Sequence, residues 1–419
     1  MARLADRAAD WFGLNRASAA VLVVIGCLGL SEEIWATFLP LHLRDEVAAT
    51  GSVFTAATFI GIIGFARNLL EGFGYIAGGT IAHRLGPRVA LAVSALPMAA
   101  GFLLMLTGSG PWPIVAGALL MTNWEPLSVP ATFDVIGSHV RKERRTIAFA
   151  LQSIQKRVPK IVGPTLGGLA FGLAGYWLNL TVAFGLVGLA VVLQLLLTSH
   201  MRPKADPVFV PLKTILQTMP KELKHLLTAE IFIRWGDWFS RDFAVLYVVA
   251  LLTRESGWTD AAAAAAAGWL LALMATTALA TYVPIAKWVD RSASPRPFIG
   301  TTFFLFSIFP IALVLLPKFC VAVGLPVTAG LVVAYVLNGL RELGEPARKA
   351  LITTGFPAPV RARAVGLYWG LRSFAFCPAP LVAGVLWSVV GPDITFLLGG
   401  GIGLAGTCWY ALKARSSET

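Results

Sequence analysis

The sequence predicts an all-α polytopic membrane protein with twelve transmembrane helices, arranged as two pseudo-symmetric six-helix bundles. Three observations support this fold class: an apolar composition, a series of apolar stretches of membrane-spanning length, and an internal repeat. Of the 419 residues, 57% are hydrophobic and only 13% are charged, whereas soluble domains carry about 25% charged residues. A chain of this composition is therefore expected to lie in a lipid bilayer.

Twelve apolar stretches are long enough to cross the hydrocarbon core of a bilayer, which takes about 20 residues. Lipid offers the backbone no hydrogen-bond partners, so each stretch is expected to form a helix. The stretches lie at residues 17–43, 53–82, 87–108, 111–138, 146–173, 176–200, 226–252, 261–289, 297–317, 320–350, 364–390 and 393–413.

The basic residues between these stretches predict the topology. With the N-terminus in the cytoplasm, most of the 34 lysines and arginines fall in inner loops and tails, and the outer loops hold Arg44, Arg254 and Lys318. This positive-inside bias places both termini in the cytoplasm. It also explains the net charge of +12 without a nucleic-acid partner.

The cysteines and histidines indicate neither disulfides nor a metal site. All four cysteines fall inside predicted spans, where a free thiol behaves as a small apolar side chain. The five histidines have no metal-ligand spacing. No metal, cofactor or cleavable signal peptide is therefore expected.

An internal repeat divides the chain in two. The long polar connection at residues 201–225 separates an N-terminal bundle, residues 1–200, from a C-terminal bundle, residues 226–419. Glu-Pro followed by Val-Arg marks the fourth and tenth spans at the same spacing, beginning at Glu125 and at Glu345. Matched halves of this kind are typical of secondary transporters.

Two short motifs link the chain to a known family. The turn after the second span reads GTIAHRLGPR, residues 79–88, and the fifth span carries GPTLGG, residues 163–168. The first is similar to the Gly-x-x-x-Asp-Arg-x-Gly-Arg turn of the major facilitator superfamily, with His83 in place of Asp. The second resembles the Gly-Pro-x-x-Gly-Gly core of that family's antiporter motif, although Pro159 replaces the preceding glycine. The resemblance implies two bundles that alternate around a central cavity.

The resemblance also implies a gate. In the family, the cytoplasmic turns latch the inner gate through charge contacts with facing helix ends. Arg67 and Glu71, which are four residues apart and can pair along one helix face, are assigned to the same gate and ion-pair group. A histidine titrates near neutrality, so a pH-sensitive gate and a relaxed constraint both stay open. The turn residues assigned to the gate are Gly79, His83, Arg84, Gly86, Arg88, Asp290 and Arg291.

Carboxylates inside the spans are the proton-coupling candidates. A charge at the bilayer centre costs about 2.5–3.5 kcal/mol, so these side chains are expected to face a cavity or to pair with bases. Glu32 and Glu33 are about 100° apart around a helix, so one is expected to face the cavity and the other a neighbouring helix. In the family, spans 1, 4, 7 and 10 line the cavity. The candidates on these spans are Glu32, Glu33, Glu125, Asp237 and Glu345.

Basic and aromatic residues on the same and adjacent spans are the substrate-binding candidates. Gln152, Lys156 and Lys160 recur every fourth residue and give the fifth span one basic face. Basic side chains suit an anionic group, and aromatic rings suit an apolar body or a cation. Ion pairing and core packing remain the alternatives. The other candidates are Arg241, Arg341, Arg372, Trp35, Trp124, Trp238 and Trp369.

These features predict a secondary active transporter in the cytoplasmic membrane of a bacterium. It is expected to act as a monomer and to export a small amphipathic organic anion or zwitterion in exchange for protons. A proton-coupled uptake symporter, a multidrug exporter of cationic or neutral lipophiles, and a lipid flippase remain open. The chain has no phosphate-binding Gly-Lys-Ser/Thr loop, and nothing in it favours an enzyme. Substrate identity, direction and stoichiometry stay undetermined.

Overall fold

The computed structural model describes residues 16–51, 54–122, 124–128, 157–197, 211–290, 292, 294, 296–354 and 361–415. Over these residues the regular secondary structure is helical, as predicted, and no strand occurs. Six helical stretches are long and apolar enough to cross a membrane. The helices, numbered in chain order, are α1 Arg16–Ala36, α2 Leu39–Thr50, α3 Ala56–Thr107, α4 Pro111–Met121, α5 Val158–Leu197, α6 Leu212–Thr218, α7 Lys221–Trp238, α8 Ala244–Ser256, α9 Asp260–Asp290, α10 Arg296–Ala322, α11 Val327–Leu340, α12 Glu345–Thr354, α13 Arg361–Phe376, α14 Ala379–Val390 and α15 Pro392–Arg415.

Four of the predicted spans are interrupted, which corrects the expectation of continuous helices. The interruptions separate α1 from α2, α7 from α8, α11 from α12 and α13 from α14. Between α7 and α8 the backbone makes tight turns, in which the Ser240 N–H donates to the Asp237 carbonyl (3.2 Å) and the Phe243 N–H to the Ser240 carbonyl (3.2 Å). In membrane proteins such broken helices are tolerated where protein or a cavity surrounds them, and they often build binding sites.

Two predicted connections have different outcomes. Within α5, Ala174 and Gly175 depart from helical dihedral angles, and Gly175 has a φ of 68°. This kink lies where the sequence predicts the connection between the fifth and sixth spans. By contrast, α3 runs through residues 79–88, where a turn was predicted. Gly79, Gly86 and Pro87 in that segment disfavour a helix, yet the helix continues through them.

The chain divides into two compact units, one of residues 1–39 and 70–207 and the other of residues 40–69 and 208–419. In unit 1, α1 packs along α5. In unit 2, α15 packs on α7 and α10, and α11 packs on α9 and α10. Small residues permit these close approaches, as is common between membrane helices. The proposed bundle boundaries at residues 200 and 226 stay a prediction.

Candidate functional site

A network of arginines and carboxylates lies inside unit 2, centred on Asp237 near the end of α7. The Asp237 side chain is 1% exposed and faces Arg341 at 2.8 Å, Arg234 at 3.2 Å and Arg241 at 3.9 Å. One negative charge thus lies close to three positive charges and cannot neutralise all of them. Burying these charges is costly unless they pair, and the close contacts to Arg341 and Arg234 provide that pairing.

A second carboxylate, Glu230, lies two turns earlier on α7 and extends the network. Its side chain is 2% exposed; Arg348 donates to one carboxylate oxygen, and Arg372 lies 3.4 Å from the other. Arg348 also contacts Glu345 at 2.6 Å. The Arg348 guanidinium, itself 4% exposed, is therefore shared between two carboxylates.

The breaks in the helices place several of these charges. Arg341 caps the C-terminal end of α11, and Glu345 is the first residue of α12. A cation at a helix C-terminus and an anion at a helix N-terminus are each stabilised by about 0.3–1 kcal/mol. The break itself is braced by Thr302 of α10, whose hydroxyl oxygen accepts the Gly344 N–H at 2.5 Å. Any side chain at Gly344 would overlap the Phe298 carbonyl.

Aromatic rings line the arginines of the network. The Arg241 guanidinium lies 4.9 Å from the centre of the Trp238 ring, and that of Arg67 lies 5.6 Å from it. Trp238 stacks on Phe376 at 6.1 Å, and Arg372 lies 5.9 Å from the Phe376 ring. These contacts stabilise the cations through the ring quadrupole while leaving their hydrogen-bond donors available.

Printed distances join five arginines to three carboxylates in this network of the described residues, and Asp242 and Glu342, which lie in two of the helix breaks, add two further carboxylates. The arginines are Arg234, Arg241, Arg341, Arg348 and Arg372, and the paired carboxylates are Glu230, Asp237 and Glu345. An arriving negative charge is therefore favoured beside the arginine whose ion pair is weakest.

Unit 1 carries the adjacent glutamates near the end of α1. The Trp124 indole N–H donates to the Glu32 carboxylate at 2.8 Å. Glu33 lies against α5, where a Cβ atom added to Gly163 would come within 3.0 Å of the Glu33 Cβ. The end of α1 is fixed by α5, because Asn179 donates to the Ile34 carbonyl at 3.0 Å. The two glutamates therefore have different neighbours, as their angular separation predicts.

Comparisons with known proteins identify the family. The profile of the Major Facilitator Superfamily matches residues 21–259, more than half of the chain. The chain belongs to the major facilitator superfamily. It is accordingly a multi-pass membrane transporter and not an enzyme.

Relatives and solved structures of the superfamily match most of the chain. Multidrug resistance protein MdtH of Salmonella typhi is 24% identical over 364 residues, which are 85% of this chain and 82% of that protein. MdtH of Cronobacter sakazakii is 24% identical over 372 residues, 87% of this chain and 80% of that protein. A POT family transporter in complex with 5-aminolevulinic acid superposes with a TM-score of 0.75 at 14% identity, covering 97% of both chains. Peptide transporter POT in complex with sulfate gives 0.74 at 14% identity, covering 97% of this chain and 95% of that one. At this identity the structures show a shared fold.

Within this superfamily member, the predicted substrate residues fall in different places. Arg241, Arg341 and Arg372 belong to the unit 2 network. Trp238 is buried among its rings and Trp369 lies beside Arg372, at 5.9 Å. The remaining tryptophans lie in unit 1: Trp35 is fully buried, edge-on to Phe102, and Trp124 is the donor to Glu32.

The predicted basic face of the fifth span is only partly within the described residues. Lys160 is exposed on α5, whereas Gln152 and Lys156 lie outside the described residues. Of the coupling candidates, Asp237 and Glu345 are in the network, and Glu125 is half-buried.

The gate candidates are described least completely. Arg67 lies over Trp238, Glu71 is half-buried, and the Arg88 carbonyl accepts a hydrogen bond from Gln194 at 2.9 Å. Arg291 lies outside the described residues. The structure describes only the backbone, which is helical, at the other gate candidates, namely Gly79, His83, Arg84, Gly86 and Asp290.

Sequence reasoning missed Glu230 as a site residue. Glu230, Arg234, Asp237 and Arg241 recur at intervals of four, three and four residues, which is one face of a helix. Extending the stripe from Arg234 by one turn toward the N-terminus would have found it. Its ion pairs with Arg348 and Arg372 join α7 to α12 and α13. Pairs between different helices cannot be inferred from the spacing of residues along one helix.

Proposed function

We propose that this protein exports a small amphipathic organic anion or zwitterion across the cytoplasmic membrane in exchange for protons. Transport proceeds by alternating access, in which the bundles of residues 1–200 and 226–419 rock around a midplane site. The observation that carries the substrate class is the weak neutralisation of Arg241.

Arg241 is the most accessible arginine among the measured ion pairs of the network, with 33% of its side chain exposed. Among the described residues its one carboxylate contact is Asp237 at 3.9 Å, and Asp237 is already held by closer contacts to Arg341 and Arg234. A guanidinium has five N–H donors in a planar fork that matches a carboxylate. Arg241 therefore has both the charge and the free donors to bind an arriving anion.

Proton coupling is assigned to the Glu32 and Glu33 pair on α1. Two observations support this assignment. Both residues are half-buried carboxylates near the C-terminal end of α1, where the predicted span is interrupted. In addition, Glu32 accepts a hydrogen bond from a neutral indole. The GPTLGG segment, which resembles an antiporter motif, packs directly against Glu33 through Gly163. Export is supported by this motif and by the relatives named multidrug resistance proteins.

The membrane setting belongs to the same proposal. Twelve spans and cytoplasmic termini follow from the apolar stretches and the positive-inside bias. The relatives come from bacteria, which supports a bacterial cytoplasmic membrane. We propose that the transporter acts as a monomer.

The test is a thermal-shift series on the purified protein in detergent. Three ligands share one naphthalene body and differ in charge: a carboxylate, its neutral amide and a primary amine. A ligand that binds only the folded state raises the melting temperature by mass action. We expect the carboxylate to stabilise the wild type, Arg241→Gln to lose this response, and the control Arg254→Gln to keep it, because Arg254 is exposed and pairs with Glu255.

Multidrug export of cations is the second candidate, favoured by the names of the relatives. Its binding groups would be the acidic pair on α1 and the neighbouring tryptophans, since aromatic faces bind cations. Stabilisation by the amine alone, lost in Glu32→Gln, would select this function and overturn the anion proposal.

A further inference from the structure

Arg241 and Arg372 each lie over one ring of a stacked aromatic pair. Arg241 is 4.9 Å from the Trp238 ring, Trp238 stacks on Phe376 at 6.1 Å with an interplanar angle of 25°, and Arg372 is 5.9 Å from the Phe376 ring. Both rings are buried. The two guanidinium groups are therefore linked through one buried pair of rings, which we call the aromatic pair.

Both guanidinium groups are incompletely neutralised within the described chain. The closest carboxylate oxygen is 3.9 Å away for Arg241 and 3.4 Å away for Arg372. Each of these carboxylates has a closer partner, namely Arg341 for Asp237 and Arg348 for Glu230. An arginine that shares an already paired carboxylate retains most of its charge and donors for a ligand.

Buried donors without acceptors accompany both arginines. The Arg372 Nε and the Trp238 Nε1 are buried and have no acceptor among the described residues. A buried donor left without an acceptor costs about 1–3 kcal/mol. One donor belongs to Arg372 itself and the other to the ring that Arg241 contacts, which matches a ligand that brings acceptor oxygens to both arginines.

We propose that the substrate carries two anionic groups, one bound at Arg241 and the other at Arg372, joined by an apolar body. This inference rests on the proposed function and narrows its substrate class from an organic anion to an organic dianion. Arg241 is the shared subsite that any anionic ligand uses. Arg372 is the specificity-determining subsite that distinguishes a dianion from a monoanion.

Matched ligands test the inference without relying on a variant. Linear α,ω-dicarboxylates of increasing chain length are compared with their half-amides, which have the same shape and one charge fewer. Dissociation constants are measured by isothermal titration calorimetry with the purified full-length protein. We expect the best dicarboxylate to bind about tenfold or more tightly than its half-amide, with an optimum at one chain length, because a second charge-assisted contact adds to the first.

Variants then assign the two subsites. Arg372→Gln is expected to abolish the preference for the dicarboxylate over the half-amide, and Arg241→Gln to weaken the binding of both ligands. If Arg372→Gln does not fold, Arg372→Lys, which keeps the charge and loses the planar fork, is expected to reduce the preference in part.

The outcomes separate this inference from the function on which it rests. Equal binding of dicarboxylate and half-amide by the wild type would overturn the dianion and leave the organic anion. Binding of neither ligand would overturn the proposed function itself. A dicarboxylate preference that survives unchanged in both Arg372 variants would also overturn the inference, because it would place the second group elsewhere.

Discussion

The Asp237 carboxylate lies 2.8 Å from a guanidinium nitrogen of Arg341, and this contact joins the end of α7 to the break between α11 and α12. Asp237 is 1% exposed and Arg341 12% exposed. Burying two charges costs several kcal/mol per ion unless they pair with good geometry. The contact therefore both stabilises unit 2 and fixes the position of Arg241, which competes for the same carboxylate.

Replacing this carboxylate should destabilise the protein strongly. Asp237→Asn leaves three neighbouring arginines without their shared counter-charge, and removal of one partner of a buried ion pair costs about 3–5 kcal/mol. The free energy of unfolding is measured by SDS titration of the protein in mixed micelles. The matched control is Asp260→Asn, whose pairing with Arg44 is exposed and is worth about 1 kcal/mol or less. Equal effects of the two changes would contradict the central role of Asp237.

The brace at the break between α11 and α12 can be removed by replacing one oxygen atom. Thr302→Val deletes the oxygen that accepts the Gly344 N–H, and a buried donor left unsatisfied costs about 1–3 kcal/mol. The neighbouring change Thr301→Val is the control, since Thr301 is exposed and bonds only within its own helix, to the Pro297 carbonyl at 3.0 Å. Unfolding by SDS titration should distinguish them, and a loss in Thr301→Val as large as in Thr302→Val would argue against the brace.

The glycine face of α5 should be needed for the position of Glu33. Gly163→Ala places a methyl group within 3.0 Å of Glu33, and overpacking of this kind costs about 1–3 kcal/mol. Gly185 lies on the same helix with open space around it, so Gly185→Ala should be neutral or stabilising by up to about 1 kcal/mol. The free energy of unfolding and the proton-driven flux are measured on both variants. We expect Gly163→Ala alone to lower the free energy of unfolding and to reduce the flux. Full stability in Gly163→Ala would mean that α1 can shift without cost.

Proton coupling should depend on a carboxylate of α1. In proteoliposomes, Glu32→Gln or Glu33→Gln should abolish flux driven by a pH gradient and retain downhill exchange of substrate, because a glutamine cannot carry a proton. Glu255→Gln is the control, since Glu255 is exposed on the last turn of α8. Gradient-driven flux at the wild-type rate in both α1 variants would remove these residues from the coupling role.

The helical membrane class could be predicted from sequence because it depends on local, additive properties. The length of an apolar stretch, the 3.6-residue period and the distribution of lysine and arginine can each be inferred from a single segment of the sequence. The same properties predicted the connection between the fifth and sixth spans, where α5 bends at Ala174 and Gly175, and the different neighbours of Glu32 and Glu33.

The helix breaks were not predicted, since three of the four contain no proline. The break before Glu345 depends on Thr302 of another helix accepting the Gly344 N–H. At the end of α1, the Trp35 carbonyl accepts the Tyr176 hydroxyl at 3.0 Å, again from another helix. A backbone group released from a helix must find a partner, and no pattern within one span reveals whether a partner stands beside it.

The sequence by itself determined that charged residues lie within the predicted spans and, where a helix is unbroken, which helix face each one occupies. The tertiary structure decided which carboxylate each arginine reaches. Asp237 could have paired along α7 with Arg234 alone, yet it also contacts Arg341, and Glu230 is held by Arg348 and Arg372 of two other helices. The physical reason is that spacing fixes neighbours along one helix, whereas the strength of a buried ion pair depends on distances set by how several helices pack.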